Sequence, residues 1–562
     1  MKIVIKNSGA LLKGVTRLGL FVLSTNILFS SCMKDLDNKY DETRVTDASF
    51  WKTEQHLMMG VNYLYTFLPG ISENNSANWS DDSRSTDNNS ISDGSRLVPN
   101  SSGDYTNNYQ LIRAVNTILE KSQKMGLEAH VIAKYNAEAR FFRAYAYGEL
   151  LKRFGGMPII TRTMDLGDEL LQAPRGSRDE VVTLIYDDLD YAIQNLPEAG
   201  AAKATEYGRI NKSVAQALKV RLALFEGTFT KYHQIGDPKK HLAIAKSVAN
   251  DIISTGYFKL FTYSADPEKS YYYLFQKEGN GYSNKENILS RLYGKDMTDK
   301  ISTHNYSRNI EQGTITATRY LVDSYLYSDG LPREGENRSP FYKPSVSTLT
   351  EFENRDPRLA MTVFKTGDSY INGSTYQPMF SFSQTGYKTF KYFNDVDWVN
   401  QTSFVEHKII RYAEVLLSYA EATLELDGVI SDGDLNRSLN LVRERAGMPK
   451  LTNDFAGVHG MHILDEIRRE RRVEFALEGA HRYWDIIRWK VAEKVLPLPT
   501  LGIQFFKNEY AQQPVVKLTP EGYVIAQTAE SRKFDPARDY LWPIPVAELS
   551  INPNLVQNPE WK

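Results

Sequence analysis

Two groupings of acids have the residue types for general acid–base work: the Asp81-Asp82 pair and the Asp395-Val-Asp397-Trp398 cluster. A glycosidase needs two carboxylates flanking a sugar bond, one kept protonated and one charged. With 69 Asp and Glu among 562 residues, such neighbours also arise by chance, and as surface acids they need no further explanation. Other chemistries leave less trace. There is no HExxH helix, GxxxxGK[ST] loop, GxGxxG turn or GxSxG elbow, so zinc proteolysis, phosphate cradling, dinucleotide binding and serine hydrolysis lack a local signature. The nine histidines are scattered, and the pair His459 and His462 does not have a zinc spacing. Asp432 and Asp434 in Ser431-Asp-Gly-Asp-Leu-Asn436 loosely resemble a calcium loop, but the spacing is not an EF-hand's and a helix cap accounts for them. The expectation is no catalytic residue, no metal and no cofactor.

The remaining chemistry is recognition. The stretch 70–105 is polar for over thirty residues around Trp79, and long segments of this kind are usually functional or disordered. Trp79 has no apolar neighbours in sequence, so it reads as a platform, with Asp81 and Arg84 beside it as hydrogen-bonding partners. Tyr293, Tyr306 and Trp398 lie next to polar sequence further on. Most of the 34 tyrosines are expected to be packing residues.

Charge and leader narrow the setting. Lys and Arg number 67 against 69 acids, which leaves no basic footprint for nucleic acid. A single cysteine excludes a disulfide framework. Lys2, Lys6, Lys13 and Arg17 precede a short apolar run, Leu18–Phe29, and then Ser30-Ser31-Cys32. This reads as a signal peptide over 1–31 with Cys32 as a lipidation site, small residues before the thiol resembling a bacterial lipobox. Two or more acyl chains, at roughly 0.8 kcal/mol per buried methylene, hold a domain on a membrane. Met33-Lys-Asp-Leu-Asp37 resembles the acidic export signal of surface lipoproteins.

The elements that must position these residues are mostly helices. Tyr412, Val415, Leu416, Tyr419, Ala420 and Thr423 repeat at helical spacing, with Glu414, Ser418, Glu421 and Glu425 opposite, predicting an amphipathic helix with one wet face. Residues 130–153 are apolar on two sides, which predicts a helix sandwiched between neighbours, with Ala and Gly making holes for Tyr and Phe. Further helices are predicted near 53–67, 107–124, 177–195, 212–228, 239–255, 434–446 and 461–478, and strands near 158–161, 258–261, 287–293 and 407–410. In 461–490, Glu470, Glu474 and Glu478 form a stripe with Arg468, Arg471 and Arg472 in reach, and interleaved signs favour an ion-pair lattice over an electropositive site. Helix pairs in series describe a tetratricopeptide-like superhelix, although no 34-residue signature is visible. The expected organisation is a mainly α body over 32–562, with helical scaffold at 32–260 and 405–562 and a loop-rich, minor-strand ligand-binding lobe at 260–405.

The order of short motifs resembles the SusD/RagB family of Bacteroidetes outer-membrane nutrient-binding lipoproteins. The matching segments run from Phe50-Trp-Lys-Thr-Glu54 and Tyr109–Asn116 through Glu138-Ala-Arg-Phe-Phe-Arg-Ala-Tyr-Ala-Tyr147, Arg153-Phe-Gly-Gly-Met-Pro158, Asp187–Pro197 and Gly208-Arg-Ile-Asn-Lys212. They continue with Tyr325-Leu-Tyr-Ser-Asp-Gly330, Arg355-Asp-Pro-Arg-Leu359, Arg411–Leu417, Leu439–Gly447, Arg468–Gly479, Asp485–Trp489 and Leu541-Trp-Pro-Ile-Pro545. The resemblance implies a surface-exposed outer-membrane lipoprotein that binds a glycan without catalysis and sits as a lid over a SusC-like TonB-dependent transporter. A peptide-binding, RagB-like receptor and a surface glycoside hydrolase are the alternatives. Oligosaccharides offer apolar ring faces and hydroxyl edges, so Trp79, Asp81, Arg84, Tyr293, Tyr306 and Trp398 are the expected ligand contacts.

Overall fold

The computed structural model describes residues 50–201, 204–294 and 302–562. The expected signal peptide and the Cys32 lipidation site lie outside the described residues.

The scaffold begins with α1 (Glu54–Leu64), whose N-terminus is capped by the Thr53 hydroxyl and whose Leu57, Val61 and Leu64 are buried. Next come α2 (Gly103–Ser122) and α3 (Ala129–Phe154), and α3 is buried on nearly every side from Tyr135 onward. It lies between α2 and α4 (Arg178–Asn195), as its two apolar faces require. Ser177 and Glu180 close a capping box at the start of α4. Then follow α5 (Lys212–His233), capped by Asn211, and α6 (Pro238–Ser254), capped by Asp237. Small residues set the spacing here: a Cβ on Gly148 of α3 would lie 2.8 Å from Leu222 of α5.

After the middle of the chain, α7 (Tyr306–Glu311) and α8 (Asp395–Asn400) are single short turns. The scaffold resumes with α9 (Tyr412–Asp427), α10 (Leu439–Arg445), α11 (Ile463–Glu474) and α12 (His481–Arg488). The predicted helix near 434–446 is split, Asp432–Asn436 and then α10, because Ser438 leaves helical geometry. Ser431 caps the first piece, and the Asp434 carboxylate accepts from the Ser431 and Tyr419 hydroxyls. Among the described residues no helix is long and apolar enough to cross a membrane.

Among the described residues the sheets are three antiparallel pairs. β1 (Ser83–Arg84) pairs with β3 (Thr316–Ala317), β2 (Asn287–Arg291) with β4 (His407–Arg411), and β5 (Thr500–Gln504) with β6 (Tyr523–Gln527). Of the predicted strands, those near 287 and 407 pair with each other. Residues 158–161 and 258–261 are not strands. The Ile160 amide donates to the Tyr147 hydroxyl and the Phe261 amide to Glu286, so side chains take the place of a ladder partner.

The wet face predicted for α9 is dry. Glu414, Ser418, Glu421 and Glu425 are all buried, and guanidinium or ammonium groups from neighbouring helices meet the carboxylates: Arg221 on Glu414, Arg488 on Glu421, Arg468 and Lys231 on Glu425. The 461–490 segment does form a lattice, with different partners from those its spacing suggested. Glu470 and Glu474 of α11 take Arg358, Arg443, Arg445 and Arg411 from elsewhere in the chain, and Glu478 takes Arg411 and Lys391. The helix's own Arg468, Arg471 and Arg472 point outward to Glu425, Asp485 and the Asp81-Asp82 pair. Such pairs persist in an interior only because each charge is matched and hydrogen-bonded.

Buried apolar side chains fall into two large cores. One runs through the helices from Leu57 to Leu555. The other gathers Tyr271 to Val405 with Ile71, Ala77, Val473, Ala476, Leu477, Ile503 and Val524, so the loop-rich middle is closed by pieces from both ends of the chain.

Candidate functional site

The polar stretch after Gly70 is ordered by its own side chains. It forms a tight 3₁₀ turn over Ile71–Trp79, with the Ser76 hydroxyl donating to the Glu73 carbonyl and Ser80 to Ala77. Asp81 and Asp82 then lock it to the scaffold. Arg482 donates to both Asp81 oxygens at 2.8 and 3.1 Å, and Arg472 bridges Asp81 at 2.9 Å and Asp82 at 2.7 Å. Burial alone would raise the Asp81 carboxyl, but the two guanidiniums overrule it and hold it below the usual carboxylate range. Burial wins at Asp82: partly offset by Arg472 and reinforced by the Asp81 charge, it pushes that carboxyl up. Both Asp81 oxygens are thus engaged by guanidiniums, which anchors the turn to α11 and α12.

Trp79 is half-buried and does have apolar neighbours. Its ring meets Trp542 at 5.2 Å, Tyr483 at 5.7 Å and Trp484 at 6.4 Å, all edge-on. These partners lie some 400 residues away in sequence, so local context could not reveal them. Arg84 is also internal. Its Nε donates to Gln384 (2.8 Å), Nη1 to Gln527 (3.0 Å) and Nη2 to Asn88 (2.9 Å), which braces the turn 85–90 from beneath. Tyr306 is 2% exposed, and its hydroxyl donates to Asn75; burial pushes the phenol up. Asp81, Arg84 and Tyr306 thus lie in the interior with protein partners, while Trp79 keeps partial exposure.

Tyr293 and Trp398 remain half-exposed. The Tyr293 hydroxyl accepts the Ile71 amide at 2.9 Å, and its ring stands edge-on to His304. Trp398 sits on α8, capped by the Asn394 side chain. The Arg308 guanidinium lies 3.7 Å over its ring while Arg308 Nε donates to the Trp398 carbonyl. Asp397, beside it, accepts from Ser403, and burial raises its carboxyl against that bond.

Arg308 lies on α7, and the other end of α7 leads to an aromatic that the sequence reading missed. Phe382 is 44% exposed. Its carbonyl presses so closely on Gly313 (φ +73°) that a Cβ there would fall 1.7 Å from the oxygen, so this approach admits only glycine. Gln384 donates to the Thr86 carbonyl, which sets Phe382 beside the turn bearing Asp87 and Asn88. Lys388 ties the same loop to the Glu311 carbonyl. The product is an aromatic ledge: Trp398 with Arg308 at one end of α7, Phe382 at the other, and exposed Gln312, Asp87 and Asn88 for polar edges. Its signal in sequence was the alternation Met379-Phe-Ser-Phe382-Ser-Gln before Gly386. Among the described residues no cluster of three or more His, Cys, Asp or Glu is arranged to hold a metal ion.

Residues 276–561 match the profile of the SusD family, and residues 36–224 match a second profile, described as starch-binding associating with outer membrane. A SusD-like protein of Bacteroides ovatus is 25% identical over 517 residues, covering 87% of this chain and 85% of its own length. SusD-like protein P38 of Formosa agariphila is 24% identical over 519 residues, covering 86% and 93%. Among solved structures, a SusD-like carbohydrate-binding protein of Bacteroides fragilis has a TM-score of 0.73 at 25% identity, covering 90% of this chain and 100% of that one. A laminarin-binding SusD-like protein has a TM-score of 0.59 at 22% identity, covering 91% and 100%, a likeness of fold.

Proposed function

This chain belongs to the SusD family, and from that premise we propose that it is a non-catalytic outer-membrane receptor that captures an oligo- or polysaccharide at the cell surface and passes it to a SusC-like TonB-dependent transporter. The observation that carries this reading is the ledge. Phe382 is 44% exposed, with exposed Asp87, Asn88 and Gln312 for hydroxyl edges, and Trp398 stands with Arg308 of α7. Rings held on a rigid scaffold lose little entropy on binding. In support of a non-catalytic role, the Asp81-Asp82 pair is committed to Arg472 and Arg482. Tyr293 and Trp398 are kept as ligand contacts, Phe382 joins them, and the Cys32 lipid anchor is the proposed attachment.

Affinity electrophoresis of the soluble body against a polysaccharide panel, followed by calorimetry, tests this. Phe382→Ala and Trp398→Ala are each expected to weaken the retarded complex about tenfold, the scale of one lost stacking contact of about 1.4 kcal/mol, without lowering Tm. New reducing ends from any glycan would make the protein a hydrolase, and retention of a peptide alone would make it a peptide receptor. Purification from detergent-solubilised outer membranes is expected to bring a β-barrel partner with it.

A further inference from the structure

On the scaffold side lies a chamber of about 320 Å³, lined by charged and apolar side chains, that the proposed glycan-binding face does not use. Its walls come from α2, α3, α5, β4, α9, α11 and α12, and exposed Gly103 and Asn107 stand at its mouth. Of the carboxylates in the wall all but Glu73, whose carboxyl burial raises, have a cation. Glu149 holds Lys152 and Arg153, Asp104 holds Arg153, Glu414 holds Arg221, Asp485 holds Arg471 and Arg488, and Glu478 holds Arg411 and Lys391.

The unspent valences are donors. Lys408 is 4% exposed and Arg471 6%, and among the described residues Lys408 Nζ and Arg471 Nη1 have no hydrogen-bond partner. Arg471 Nε is occupied by Asp485 at 2.9 Å and its Nη2 faces His481 Nδ1 at 3.5 Å, which leaves one edge of the guanidinium for the chamber. Ser418 and His407 line the same chamber, and the Ser418 hydroxyl and His407 Nδ1 are likewise unpartnered among the described residues. Native interiors satisfy nearly all such groups, and an unmatched buried cation is among the costliest to leave. Apart from Glu73, the acids of the chamber are matched, and its free donors are a lysine, a guanidinium edge and a hydroxyl, a set suited to oxygen acceptors carrying negative charge.

We propose that this chamber is a second binding site, for a small oxyanion held between Lys408 and the free edge of Arg471, with Ser418 donating to the same group. The shared chemistry is a carboxylate, sulfate or phosphate, whether free in solution or borne on a sugar acid. The site is independent of the ledge, since none of its residues belongs to α7, α8 or the Phe382 loop.

The test is thermal melting of the soluble chain in sodium phosphate, sodium sulfate and sodium glucuronate, each against sodium chloride at matched ionic strength. A saturable rise in Tm is expected, on the order of 1–2 °C per tenfold excess over the midpoint concentration. Lys408→Met removes the cation at near-constant volume and is expected to abolish the rise, and Ser418→Ala to shift its midpoint upward. Equilibrium dialysis with radiolabelled phosphate and glucuronate, expected to give one site per chain, keeps the test open should Lys408→Met fold poorly. A response to glucuronate alone identifies a sugar acid, and equal responses identify a general oxyanion site. A rise of the same size in Lys408→Met, or no saturable binding in dialysis, means that the chamber holds water only and overturns the proposal.

Discussion

Trp79 packs edge-on against Tyr483, Trp484 and Trp542, so removing its ring opens a cavity where the 3₁₀ turn meets α12. Trp79→Ala is expected to cost about 2–4 kcal/mol and lower Tm by several degrees in calorimetry, while glycan affinity of the folded fraction stays put. Unchanged stability with lost binding would return Trp79 to the ledge. The same lesson applies to Asp81 and Arg84. A polar run shows which residue types are present, but whether a carboxylate faces solvent or Arg482 depends on a partner 401 residues away. Phe382 was missed for the opposite reason: the alternation around it marks an exposed aromatic only once the fold shows which of its rings stays uncovered. Tyr293 and Trp398 kept partial exposure, yet the hydroxyl of one is spent on the Ile71 amide and one face of the other lies under Arg308.

At the level of elements, α1, α4 and α6 begin at or next to the predicted residue because their first turns carry side-chain caps, whereas α2, α3 and α9 have none and were legible from the recurrence of their apolar positions alone. The β5–β6 pair was missed, since two five-residue strands with shifted register leave little periodic trace. The dry face of α9 was misread because a hydrophobicity pattern treats every glutamate as wet, while here guanidiniums from α5, α11 and α12 replace the water. Close packing of α5 and α6 depends on Gly227, where a Cβ would lie 2.8 Å from the Leu242 side chain and 3.0 Å from its backbone nitrogen. Gly227→Ala is expected to lose about 1–3 kcal/mol, despite alanine's better helix propensity, because backbone cannot yield as a side-chain tip can. A rise in the denaturation midpoint in urea would show that the two helices separate freely.

Across the whole molecule, the buried charges make acid the natural denaturant. Burial alone would raise Glu149, Glu414 and Glu421, yet Lys152 with Arg153, then Arg221, then Arg488 pull their carboxyls down to about 2. Their stabilisation is complete above the unfolded carboxyl value of 4.5 and drains away as pH falls towards 2. Burial keeps His407 neutral to about 3, so below pH 6.5 the unfolded chain binds a proton that the folded one refuses. Both effects have the same sign, and Tm is expected to fall steadily between pH 6.5 and 3; a flat profile over that span would mean that these groups are solvated. Residues near the far end of the chain have a different consequence. The Trp542 amide donates to the Arg153 carbonyl, Asn558 to Phe154, and Arg175 reaches the Val556 carbonyl, so the early helices are sealed by a segment far along the chain, 404 residues away for Asn558 and Phe154. The end of α3 therefore cannot complete its native contacts until residues 542–558 are available to it, at the loop-closure cost of a separation of roughly 400 residues.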